Sequence, residues 1–102
     1  MLGAVFTVAL FSGAALPVYN PLVDAARRGE LEVVRSLLEG GADVTEAQGD
    51  GLTALHAAAE RGHVEITKLL ISAGAALEAE TRIGRYTPLH LAGRGGHGRV
   101  VI

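Results

Sequence analysis

From Asn20 onward the sequence repeats itself every 33 residues, and this period restricts the fold more than any single residue does. Gly29 pairs with Gly62, Leu22 with Leu55, Ala25-Ala26 with Ala58-Ala59, Val33 with Ile66, Leu37 with Leu70, and Gly41-Ala42 with Gly74-Ala75, all at that offset. Gly51 to Gly84 keeps it, whereas Thr53 to Thr87, His56 to His90 and Gly62-His63 to Gly96-His97 are 34 apart, so one residue is inserted between Gly84 and Thr87. Units that repeat in this way stack on their neighbours and share one continuous core.

Each unit reads as two short antiparallel helices and a long loop. Asn20, Thr53 and Thr87 precede apolar helical runs and are N-cap candidates, with Pro21 and Pro88 at the first helical position, where a missing N–H costs nothing. Gly29, Gly62 and Gly96 then break the chain, because glycine enters the left-handed conformation that closes a helix. Second helices follow over Leu31 to Glu39 and Val64 to Ala73, with Leu31, Val34, Leu37 and Leu38 at helical spacing, and end at Gly40-Gly41 and Gly74. Gly93 weakens the last first helix by about 1 kcal/mol relative to alanine.

The segments TALHAAAERGH, TPLHLAGRGGH, ELEVVRSLLEGGADV and HVEITKLLISAGA resemble the ankyrin repeat in both motif and period. The resemblance covers 20–102. It implies an all-α ankyrin-repeat solenoid of stacked helix-turn-helix units with β-turn loop tips. Two full repeats (about 20–51 and 52–85) and a truncated third (86–102) are expected, after an apolar N-terminal segment (1–16). The first unit departs from the Thr-Pro-Leu-His signature, reading Asn20-Pro21-Leu22-Val23, and the third stops just inside its second helix.

His56 and His63, separated by a glutamate and an arginine, could suggest a metal or acid/base pair, but they recur in register as His90 and His97. Gly62 breaks the helix between the first two rings, and no pair of histidines has the i, i+4 spacing of a metalloprotease helix. The resemblance gives Thr53, His56, Gly62, Thr87, His90 and Gly96 structural roles, the first histidine bonding within and between turns beside the N-cap threonine. Ser12, Ser36 and Ser72 lack a nucleophile-elbow context, and GRGGHG at 93–98 lacks the strand that a phosphate-cradling loop follows. No catalytic residue, cofactor, metal or small-molecule substrate is therefore expected.

A net charge of −2 argues against a general nucleic-acid binder, and the absence of cysteine excludes disulfides and thiolate zinc sites. With 49% hydrophobic residues but only two tyrosines and two phenylalanines, the core is aliphatic and small-residue. The charge-free run from Leu2 to Leu16, followed by Pro17, has the shape of a secretory signal's apolar region and cleavage zone, with cleavage after Ala14 or Ala15. No Lys or Arg precedes it, and it is shorter than the roughly 20 residues that span a bilayer. A signal, and with it a secreted or periplasmic location, is the first expectation. A retained membrane anchor and an apolar helix covering the first unit are the alternatives.

The resemblance further implies a monomeric protein-protein interaction module that binds through its loop tips and the concave face of its first helices. Those positions are Arg27, Arg28, Glu60, Arg61 and Arg94 on helices, and Asp50, Leu52, Arg82, Ile83, Arg85 and Tyr86 on tips. Six arginines then face Asp24, Asp50 and Glu60 on one surface, which suggests a partner with an acidic patch. The alternatives are a membrane-tethered adaptor, and the N-terminal part of a longer ankyrin-containing enzyme or effector.

Overall fold

The structure, a computed structural model, describes residues 20–96; the apolar segment with its proposed cleavage zone, and His97 to Ile102, lie outside the described residues. Five helices follow in order: α1 (Pro21–Arg28), α2 (Leu31–Glu39), α3 (Ala54–Arg61), α4 (Val64–Ser72) and α5 (Pro88–Arg94). Contacts run between α1 and α3, and between α3 and α5, with α2 packing on α1 and on α4, and α4 on α3. The first helices thus form one row and the second helices another. Each unit touches its neighbour, as a solenoid requires.

The caps explain the boundaries. Asn20 Oδ1 accepts the Leu22 and Val23 amides, each at 3.1 Å. Thr53 and Thr87 go further: each hydroxyl accepts the amide three residues on, and the histidine there accepts the threonine amide in return at Nδ1. This is a capping box in which histidine takes the place usually held by Glu or Gln. Val23 stands where that histidine would be, so the first unit is capped from one side only. The fourth helix stops at Ser72 rather than Ala73, whose amide still bonds Leu69 O while its φ and ψ (−82°, −1°) leave the helix. The fifth helix runs through Gly93, ending at Gly95, and Gly96 takes the left-handed turn (φ 74°).

The middle unit carries the core. Residues 54–59 of α3 are all buried, because α1, α4 and α5 surround that helix, and only its last turn reaches solvent. Alanines at 25, 26, 57 and 58 keep the first helices slim enough to stack closely, while Val23, Val34, Leu55 and Leu70 fill the space between the rows. The ends differ. Leu22 and Leu55 are 3% and 2% exposed, but their counterpart Leu89 is 54% exposed. Leu89 lines, with Leu55, Thr67, Ile71 and Leu77, an open groove of about 260 Å³ between the middle and last units. Among the described residues, no helix is long and apolar enough to cross a membrane.

Candidate functional site

Besides the helix packing, side-chain and backbone hydrogen bonds link neighbouring units near the turns, and these fix the surface the tips present. His56 is fully buried. Its Nδ1 accepts the Thr53 amide at 3.1 Å, so the proton sits on Nε2, which donates to Tyr86 O at 2.8 Å in the next unit. Both ring nitrogens are committed, leaving no lone pair for a metal. His63 reaches the other way, donating from Nε2 to Arg27 O at 3.2 Å. Its ring lies flat enough on Gly29 (φ 78°) that a Cβ there would come within 2.8 Å of Cε1. Glycine is thus required at 29 for its backbone and for its neighbour alike.

The two loop tips are joined. The Arg82 amide donates to Asp50 O at 2.9 Å, and a Cβ on Gly51 (φ 83°) would sit 3.0 to 3.2 Å from backbone atoms of Thr81, Arg82 and Glu80. The first tip is further closed by an antiparallel bridge between Ala47 and Thr53. In the second tip the Thr81 amide bonds Tyr86 O at 3.0 Å and the Tyr86 amide bonds Thr81 Oγ1 at 3.0 Å. The Arg94 guanidinium lies over the Tyr86 ring, 4.8 Å from its centroid, tying tip to helix.

The structure therefore brings Asp50, Arg82, Tyr86 and Arg94 together, with Arg28, Arg61, Ile83 and Arg85 exposed and Arg27 and Glu60 half-buried. Two expectations are corrected. Leu52 is half-buried and packs on the core, because its amide is drawn in by Asp50 Oδ1 at 3.0 Å and its carbonyl by the Gln48 amide. Glu80 belongs to the tip, bonding Arg85 Nε at 3.0 Å, while Asp24 pairs with Arg28 at 3.2 Å. Six arginines thus face four carboxylates rather than three. The role of His63 between units was also not read from the sequence, although its recurrence in register was a signal.

Burial pushes the His56 imidazole below its ordinary value of 6.5, against opposing pulls from the Tyr86 and Ala79 carbonyls and from Asp50 and Glu60. The unfolded chain then binds this proton more readily than the folded one. Stability is full above the unfolded value and falls as the pH drops below 6.5 toward the lower folded value. Urea midpoints should accordingly decline over that window, and a His56→Gln variant should lose the part of the decline that this ring causes; an unaltered slope in the variant would reject the assignment. Removing the cap with Thr53→Ala should cost about 1 kcal/mol, read from the same titration. An unchanged midpoint would show that the Thr53 hydroxyl does not hold the helix start.

Residues 19–102 match the family described as ankyrin repeats, in three copies. The RelA-associated inhibitor of Mus musculus is 41% identical over 76 residues, which make up 72% of this chain. The aligned region spans only 9% of that relative's length.

Proposed function

Since the chain belongs to the ankyrin repeat family, we propose that it is a non-catalytic protein-binding module acting through its joined tips and the last turns of its first helices. Ankyrin repeats mediate protein-protein contacts, and the relative's name describes an inhibitor associated with another protein, RelA. What carries the reading is the knitted surface: Arg82 is bonded to Asp50 across the tips, and Tyr86 is held by His56 on one side and Arg94 on the other. Such a surface is fixed before a partner arrives, which reduces the entropy lost on binding. The surplus of arginine, above all at Arg61 and Arg82, for which no ion pair forms among the described residues, fits an acidic patch on the partner.

The test is charge reversal. Arg61→Glu with Arg94→Glu should slow association with proteins captured from the native source by about tenfold or more at low salt, with the difference shrinking as salt rises. Reversing Glu39 and Glu65, both exposed on the second helices, should change little. A partner that ignores the arginine reversal but is lost on the glutamate one would place binding on the second-helix face instead. Export rests on the charge-free run at 1–16 alone, and an intact mass lacking the first 14 or 15 residues would establish it.

A further inference from the structure

The two tips are unequal in what they offer. The first carries Gly49, Asp50 and Gly51, with its one apolar side chain, Leu52, turned toward the core. The second holds Ile83 at 87% exposure, the most exposed of the large hydrophobic side chains among the described residues. A single exposed hydrophobic side chain is ordinary on a protein surface, but this one stands among arginines on a loop whose neighbouring residues are held by hydrogen bonds. Thr81 Oγ1 donates to Ile83 O at 2.9 Å, and Thr81 and Tyr86 exchange bonds across the base. Asp50 holds the Arg82 amide, and Glu80 holds Arg85. The Tyr86 ring rests on Gly84, where a Cβ would overlap Cε2 outright.

The turn also has a cost. Gly84 (φ 84°) and Arg85 (φ 53°) are both left-handed, and Arg85 is the only non-glycine residue with positive φ among the described residues. Arginine in that region is disfavoured because its Cβ crowds the following carbonyl oxygen, and its pairing with Glu80 is between exposed groups, 79% and 43% accessible, which contributes little. The inserted residue and the strained turn together place an isoleucine at an apex between Arg82 and Arg85.

On this basis, and resting on the interaction surface described above, we infer that the second tip is the apolar anchor of that surface. Its ligand is an acidic peptide segment in which a large apolar side chain stands among carboxylates. The carboxylates pair with Arg82, Arg85 and Arg94, and the apolar side chain covers Ile83. The first tip acts as a strut that sets the height of the second.

The full chain, labelled with ¹⁵N, is titrated with three synthetic nonapeptides: glutamates around a central leucine, the same with a central alanine, and lysines around leucine. The leucine-glutamate peptide should shift the amides of Arg82 to Tyr86 and of Arg94, and should bind about tenfold tighter than the alanine one, as expected for the extra buried methylenes. The lysine peptide should not bind. Ile83→Ser, a change at a solvent-exposed apex, should bring the leucine peptide down to the level of the alanine one, with the amide spectrum of the free variant unchanged away from the second tip as the check on its fold.

Equal binding of the two glutamate peptides, or shifts centred on Arg27 and Arg28, overturns the anchor while leaving a charge-driven protein-binding surface in place. No binding of any acidic peptide overturns the anchor and the acidic-partner reading together. A single-stranded oligonucleotide that shifts the same amides as strongly overturns it in favour of phosphate recognition.

Discussion

Leu55→Ala should lower the unfolding free energy by about 3 kcal/mol, whereas Leu89→Ala, at the same position of the next unit, should cost less than about 1 kcal/mol. The chemistry removed is identical, so the difference isolates packing. Leu55 is 2% exposed on a helix flanked by α1, α4 and α5. Truncating it leaves a void in the buried cluster beneath the groove, which adds to the lost transfer energy of the missing carbons. Leu89 is 54% exposed and its loss merely widens an open groove. A domain of this size has only about 5 to 15 kcal/mol in total, so the Leu55 change should move the urea midpoint by a large fraction of its value. Similar losses at the two positions would show that the last unit is as tightly packed as the middle one.

Extending the third unit with a second helix copied from α4 should raise stability by at least about 2 kcal/mol. The reason is the groove at that end. Ile71, Leu77 and Leu89 are 36%, 54% and 54% exposed there, and a helix laid over α5 as α4 lies over α3 would cover them. Burial at about 25 cal/mol per Å² supplies the gain, reduced by the entropy of ordering the new residues. Equal urea midpoints for the 102-residue and extended chains would count against this account.

The helices and their caps were legible in the sequence because each is fixed within a few residues. Thr53 meets His56 across three positions, Asn20 meets Leu22 and Val23, and the left-handed glycines follow directly. Helix ends were accordingly placed to within one residue. The surface was less legible. That Glu80 pairs with Arg85, that Leu52 turns inward and that Arg94 covers Tyr86 depend on the path of the tip containing the inserted residue, and residue spacing alone carries no such path. The reach of His63 to Arg27 O spans 36 residues, a separation at which only the stacking distance of the units decides contact. Residue types name the side chains that carry charge, but the path of the chain decides which of them come together.

The middle unit's two imidazoles reach in opposite directions, His56 to Tyr86 O and His63 to Arg27 O. Detaching one neighbour therefore breaks one imidazole bond and spares the other. Under amide hydrogen exchange, α1 and α5 should therefore open as separate events, each with its own rate, while the amides of α3, packed between them, should exchange most slowly. The Arg82 amide, whose acceptor is the Asp50 carbonyl of the preceding unit, reports the moment the last unit lets go.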